Sequence, residues 1–379
     1  DRSVSRGLGD VYKRQGVALA ISVAGPGSIF WMWVTAIIGI ATKFFTCTLS
    51  VMYREKTKEG EIFGGPMYVI KNGLPKRMLP LAYFFALAGM IGCLPAFQSN
   101  QLIQITGDLA FSEIENFNIF GGLALAGITG IVVIGGLKRI AEVATFLVPL
   151  MGSIYFGAML IALILNLDLV LPAFRLILID AFNGTAIAGG TFFGVLIYGV
   201  RRGAFSNEAG MGTESLVHGV AKVSDPVKQG LVAMTGPIFD TLIICTATAL
   251  MILISGVWET SASQGVTLTA EAFSVLLGNF GGFILFMCVI CFGLSTIFTY
   301  SYYGASCSRF LFGKFGMKFY IYLYIFGIFI YSIVPIDIAI NIADGAFAMM
   351  AIPTLVSALW LAPKVMQASR NYFKLIDNF

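Results

Sequence analysis

The sequence predicts an all-α polytopic membrane protein, and three observations carry that fold class. Hydrophobic residues make up 58% of the 379 and charged residues 12%, whereas a soluble domain carries about 25% charged residues. Apolar runs of about 20 residues, the length a helix needs to cross a bilayer, recur along the chain. Basic residues then collect on alternate sides of those runs. The net charge of +4, from 24 basic and 20 acidic residues, does not suggest a nucleic-acid partner.

Taken in order, residues 1–15, DRSVSRGLGDVYKRQ, are polar and basic without apolar periodicity. They fit neither a signal peptide nor a span, so they are set apart as a non-native-looking flank. A single transmembrane domain is expected over 16–365, with a cytoplasmic tail at 366–379. Spans are expected at 28–50, 80–106, 120–137, 140–165, 184–201, 229–256, 279–303, 317–334 and 344–363, and the piece at 16–24 looks like the second half of a tenth. Only helices fill such spans, because a lipid-exposed strand edge leaves backbone groups unsatisfied.

On these boundaries, eighteen of the 24 basic residues fall in one set of loops and the C-terminal tail, and Arg175 alone in the opposite set. The loops at 107–119 and 257–278 carry acidic residues without basic ones, so they face outward and the C-terminus is cytoplasmic. Residues 205–222, FSNEAGMGTESLVHGVAK, are amphipathic, and would lie along the inner interface or plug a cytoplasmic vestibule. His218 is expected there as a partly solvated interfacial side chain.

Ten spans divide as five plus five of opposite orientation, and transporters built from inverted repeats bind substrate where helices are interrupted near the midplane. The sixth span holds Ala188-Gly189-Gly190-Thr191, glycines that either ease unwinding or permit close helix packing. Asp240, about twelve residues into its span and just after Pro237, is the deepest carboxylate. It reads as a coupling carboxylate, or as a structural partner for unwound backbone or for Lys43. Lys43 lies near the inner end of its own span and could snorkel. Pro95-Ala96-Phe97-Gln98 sets a helix break beside an amide. Thr296 and Tyr300 share a helix face, as do Ser295 and Thr299, and a hydroxyl pair can coordinate a hard cation such as sodium.

Six cysteines form no disulfide framework, and Cys288-x-x-Cys291 lies in an apolar run with no second pair, which favours packing over metal binding. No nucleophile elbow, H-E-x-x-H or phosphate-binding loop is present, so no enzyme activity and no cofactor are expected.

The run Gly25-Pro26-Gly27-Ser28-Ile29-Phe30-Trp31-Met32-Trp33, with Ala41-Thr42-Lys43-Phe44, Tyr53-Arg54-Glu55-Lys56, Gly64-Gly65-Pro66-Met67-Tyr68, Arg202-Gly203-Ala204-Phe205-Ser206-Asn207-Glu208-Ala209-Gly210, Asp240-Thr241-Leu242, Cys245-Thr246-Ala247-Thr248, and Ser295-Thr296 with Ser301-Tyr302-Tyr303-Gly304, resembles the alanine or glycine:cation symporter family, the sodium:alanine symporters. That resemblance implies a leucine-transporter-type 5+5 inverted-repeat helix bundle in a bacterial or archaeal cell membrane. It implies sodium- or proton-coupled uptake of a small neutral amino acid such as alanine or glycine. An alternative is a transporter-fold sensor or scaffold that binds an amino acid without moving it.

Carried onto this chain, the resemblance nominates Gln98, Gly189, Gly190, Thr296, Tyr300 and, more weakly, Phe205 for substrate, and Ser295 with Thr296 for sodium. Family members have a V-G-T-G-N-I-A stretch just before the position of Gly16, where this chain has Tyr12-Lys13-Arg14-Gln15. The resemblance therefore implies an incomplete first helix and impaired transport. Ala24 stands where glycine is common, Thr46 where glutamate is frequent, and Tyr300 where tryptophan is usual, which changes the expected pocket size.

Overall fold

The computed structural model describes residues 11–377, apart from 59, 112, 184–191, 262 and 264. The described residues are almost all helical, with one two-stranded ladder, and six helical stretches are long and apolar enough to cross a membrane. Large apolar side chains such as Ile37, Leu87, Phe146 and Leu165 point away from the protein, as lipid-facing positions do.

Helix α1 (Val11–Ala24) turns at Gly25, whose φ is 87°, into α2 (Ser28–Met52). The backbone of 11–15 is thus continuous with 16–24. Gly27 N donates to Asp180 Oδ2 at 2.7 Å, and Trp31 Nε1 to the Ala181 carbonyl at 3.3 Å, so the turn is tied to α8 (Leu167–Asn183). Trp33 Nε1 donates to Thr246 Oγ1 at 2.7 Å.

After α2, a short antiparallel ladder pairs β1 (Glu55–Lys56) with β2 (Ile62–Phe63), and α3 (Pro66–Gly73) follows. The expected span 80–106 divides into α4 (Leu79–Gly92) and α5 (Ala96–Ala110), interrupted at Cys93-Leu94-Pro95. Proline supplies no N–H there, so the ladder stops. Helices α6 (Phe117–Val133) and α7 (Gly136–Leu165) match the next two spans closely.

The segment after α7 is not a plain loop, because α8 occupies it. Its apolar side chains, Leu171 and Phe182 among them, are exposed while Ile177 and Ala181 are buried. Helix α9 (Phe192–Asn207) then runs six residues past the expected end of the sixth span, so Arg201 and Arg202 belong to a helix rather than to an inner loop. A short α10 (Thr213–His218) follows.

The seventh span is α11 (Pro226–Pro237), a π-helical segment over Ile238–Cys245, and α12 (Thr246–Ser255). The segment beyond it holds α13 (Val257–Thr260) and α14 (Val266–Leu277), whose Leu268, Ala272 and Phe273 are fully buried. The expected loop at 304–316 shrinks to a turn at Gly313, beyond which the chain folds back so that the Tyr324 hydroxyl donates to the Ile297 carbonyl at 2.7 Å. Helix α15 (Asn279–Tyr331) carries both spans and departs from helical geometry at Gly313, with φ 69° and ψ −156°. One glycine makes that bend because it alone accepts φ above zero without a Cβ clash. Helix α16 (Ile336–Asp377) extends the last span through most of the expected tail.

Two packing units result. One gathers α4, α5, α7, α15 and α16 around Phe85, Tyr155, Phe292, Tyr324 and Met350. The other joins α1, α2 and α12 around Val17, Ile21, Met32, Ala249 and Ile252. Helix α9 lies against both α1 and α2. A Cβ on Gly199 would fall inside the shell of the Ser28 carbonyl oxygen, and one on Gly203 would come within 2.9 Å of Thr35. Small residues four apart on α9 let the two backbones approach.

Candidate functional site

Between α9 and α10 the helix is broken at Glu208–Gly212. Glu208 has φ 52°, Gly210 85° and Gly212 90°. A left-handed glutamate costs roughly 1–2 kcal/mol, and its surroundings hold it there. Thr213 Oγ1 donates to Glu208 Oε2 at 2.7 Å, and the Tyr300 hydroxyl donates to Oε1 at 3.3 Å. Ala209 N donates to Asn207 Oδ1 at 2.9 Å, and the Thr354 hydroxyl donates to the Met211 carbonyl at 3.3 Å. At Gly212 a side chain has no room, since a Cβ would lie 2.6 Å from Pro66 Cγ and from Thr354 Oγ1. Glu208 is 7% exposed, so its side chain is held by hydroxyl donors rather than by bulk water.

Tyr300 and Phe205 meet here through Phe347 of α16. The Phe347 ring lies 6.2 Å from Tyr300, edge to face, and 6.1 Å from Phe205. Ser295 and Thr296 lie about one turn before Tyr300 on α15 and are 3% exposed. Ser295 Oγ donates to the Phe292 carbonyl at 2.9 Å.

Gln98, 4% exposed, lies on α5. A Cβ on Gly89 of α4 would touch Cys307, and one on Gly293 would touch Leu102 of α5. The α4/α5 span and the part of α15 before Gly313 are therefore antiparallel, which sets Gln98 at the level of Ile297 and Phe298. Gly189 and Gly190 lie outside the described residues.

Asp240 is 4% exposed in the π-helical segment. The hydroxyls of its neighbour Thr241 and of Ser206 on α9 share a hydrogen bond at 3.3 Å, so this segment packs beside the last turn before the break. Lys43 does not snorkel. It is 2% exposed and forms its ion pair with Glu214 of α10. His218 is likewise buried, at 7%, with its Nδ1 against the Gln229 amide, so it is a packed side chain rather than a solvated one. Residues 205–222 as a whole fold inward instead of lying on the interface.

Asp344 of α16 pairs with Arg201, and Arg202 Nη2 lies 3.9 Å from the same oxygen. Arg202 and Asp344 are each 4% exposed. Buried charges persist only when paired, and these ion pairs flank the break, one seven residues before Glu208 and one six after it. Glu208, Glu214 and Asp344 were not read as site residues from the sequence. The signal was the Gly210-Met211-Gly212 doublet directly after Asn207-Glu208, hidden inside an apparently amphipathic stretch.

Among known proteins, residues 5–378 match the sodium:alanine symporter family. Over 369 residues the chain is 37% identical to "Uncharacterized transporter YflA" of Bacillus subtilis, covering 94% of this chain and 76% of that one. It is 36% identical to "Sodium/alanine symporter AgcS" of Methanococcus maripaludis, covering 96% and 81%. It is 34% identical to "Probable sodium/glutamine symporter GlnT" of Bacillus subtilis, covering 94% and 74%. The chain therefore belongs to the sodium:alanine symporter family.

Proposed function

We propose that this chain couples the entry of sodium, or of a proton, to uptake of a small neutral amino acid such as alanine or glycine. The observation that carries the proposal is the break at Glu208–Gly212 facing Tyr300, where unwound backbone and a carboxylate meet the hydroxyl-bearing face of α15. Free backbone N–H and C=O groups at such a break bind a carboxylate or a cation with no further side chain. The names of the relatives AgcS and GlnT support cation-coupled amino-acid transport as the class.

In this reading, substrate lies between the break, Gln98, Thr296, Phe205 and Tyr300, with Gly189 and Gly190 retained as candidates. Ser295 and Thr296 present hydroxyls to sodium, and Asp240 is the coupling carboxylate. Packing supports a 5+5 inverted repeat, because spans five apart touch: α1 with α9, α2 with α11, and α4 and α5 with α15. The ion pairs on either side of the break would open in turn, Arg201 with Asp344 outward and Lys43 with Glu214 inward. The protein would sit in the cell membrane with its C-terminus in the cytoplasm.

In proteoliposomes, uptake of labelled alanine or glycine should rise with an inward sodium gradient. Uptake indifferent to both sodium and pH would overturn the proposal.

A further inference from the structure

A cavity of about 620 Å3 lies between α5, α6 and the part of α15 before Gly313. Its size is within the range of about 300–1,000 Å3 typical of small-molecule sites. The deep wall is Leu102 and Ile103 of α5 with Ile290 and Leu294 of α15, and the outer wall is Phe120, Ala124 and Ile128 of α6. Of the residues lining it, Thr106 alone has a polar side chain, and its hydroxyl donates to the Leu102 carbonyl of its own helix at 2.6 Å. A buried water needs two to four polar partners, so this lining does not hold water. Left empty, a space of this size would cost the surrounding side chains their dispersion contacts.

Its occupant follows from where it opens. Phe120, Leu123, Ala124, Gly127, Ile128 and Ile131 recur along α6 at three- and four-residue spacing, which puts them on one helix face. All six are exposed, Phe120, Leu123 and Ile131 by 65%, 63% and 65%, so this face of an apolar helix meets lipid. Phe120, Ala124 and Ile128 belong both to that face and to the cavity wall, which makes the cavity a side pocket of the lipid surface. A helix of a second copy, about 10–12 Å across with its side chains, would cover the mouth without entering between neighbouring helices, whereas an acyl chain is one methylene wide. A methylene is close to water in size, at about 30 Å3, so the cavity takes roughly twenty of them, enough for one long chain. Phe111 and Phe117 stack 4.9 Å apart where α5 gives way to α6. Glu113, Glu115 and Asn116, between them in sequence, are exposed, so that end of the cavity is the aqueous one.

We infer that this cavity holds one acyl chain of a bilayer phospholipid, its headgroup at the Phe111–Phe117 end and its methylenes against Leu102, Ile103, Ile290 and Leu294. The floor is the contact of α5 with α15, where Leu102 lies against Gly293. Leu102 is one turn beyond Gln98, and Leu294 directly precedes Ser295, so the chain seats behind the two helices that carry residues proposed for substrate and sodium. Binding of the lipid does not depend on that transport reading.

The test uses the full chain in liposomes and needs no transport. A phosphatidylethanolamine carrying a diazirine midway along one acyl chain is photolysed, and the labelled residues are located by peptide mass spectrometry. Label is expected on Leu102, Ile103 or Leu294, which are buried or half-buried, as well as on the open lipid face at Leu123 and Ile131. Ala124→Phe places a ring in the mouth from an exposed position, and should abolish the deep-wall label while Leu123 and Ile131 stay labelled. Leu123→Phe, a ring one residue away on the open face, should leave the deep-wall label intact. Label confined to Leu123 and Ile131 in the parent, or deep-wall label that survives Ala124→Phe, overturns the site. Displacement of the deep-wall label by palmitic acid at a mole fraction equal to that of the labelled lipid overturns the phospholipid as its occupant. Deep-wall label that appears only on dilution of the protein into excess lipid overturns it in favour of a second copy.

Discussion

The Tyr300 hydroxyl donates to Glu208 Oε1 across 3.3 Å, joining the eighth span to the break in the sixth. Tyr300→Phe keeps the ring against Phe347 and removes that donor. Hydrogen bonds to charged groups contribute about 1.5–3 kcal/mol, so amino-acid uptake should fall at least about tenfold while Thr213 still holds the other carboxylate oxygen. Uptake kinetics at saturating sodium check this; an unchanged KM and rate would remove Tyr300 from the site.

Ser295→Ala and Thr296→Val delete hydroxyl oxygens while preserving shape. Each should raise the sodium concentration for half-maximal uptake by about tenfold or more, the size expected for one lost ligand of roughly 1.5 kcal/mol. Melting temperature measured with and without sodium separates a lost ion ligand from a general loss of stability.

Glu214→Gln leaves the Lys43 charge buried beside a neutral amide, which should destabilise the protein by about 3–5 kcal/mol. Replacing both, as Lys43→Met with Glu214→Leu, should recover most of that stability but not transport, if the pair must open and close. Thermal unfolding in detergent and uptake, read together, separate the two roles.

Burial raises the Asp180 carboxyl above the usual carboxylate range, and the Gly27 N–H opposes that shift without cancelling it. The folded state therefore holds the proton more tightly than the unfolded chain. Its contribution is present at acid pH and is lost as pH rises from the ordinary carboxylate range through the raised value. Asp180→Asn should flatten that loss, keep an acceptor for Gly27, and be at least as stable at neutral pH. Asp180→Ala should lose about 1–3 kcal/mol by orphaning the Gly27 N–H. Melting temperature against pH for the three proteins decides it.

Gly199→Ala puts a methyl group into the Ser28 carbonyl where α9 crosses α2. The backbones must separate, at about 1–3 kcal/mol. A melting temperature equal to the parent would mean that the two helices do not approach this closely.

Much of this was legible from residue order. Spans at 28–50, 120–137 and 140–165 agree with α2, α6 and α7 within a few residues, and the break beside Pro95 falls where proline removes a donor. Gln98, Ser295, Thr296, Tyr300 and Phe205 are all buried, with Tyr300 and Phe205 sharing Phe347. The described break in the sixth span was misread, because Asn207, Glu208 and Glu214 look like solvated loop residues when counted by hydropathy. His218 and Lys43 were misread for the same reason: a charge or an imidazole looks exposed until its partner is known.

Hydropathy and the bias of lysine and arginine suffice for the all-α class and the approximate spans, since transfer from water to lipid depends on each residue's own chemistry. The family follows from motifs in register, which also need no coordinates. Whether Glu208 is a surface charge or the centre of a broken helix depends on Tyr300, ninety-two positions away. Whether Lys43 reaches for water depends on Glu214. Such pairings form only when distant helices pack and exclude water, leaving each charge no partner but the one the fold brings to it.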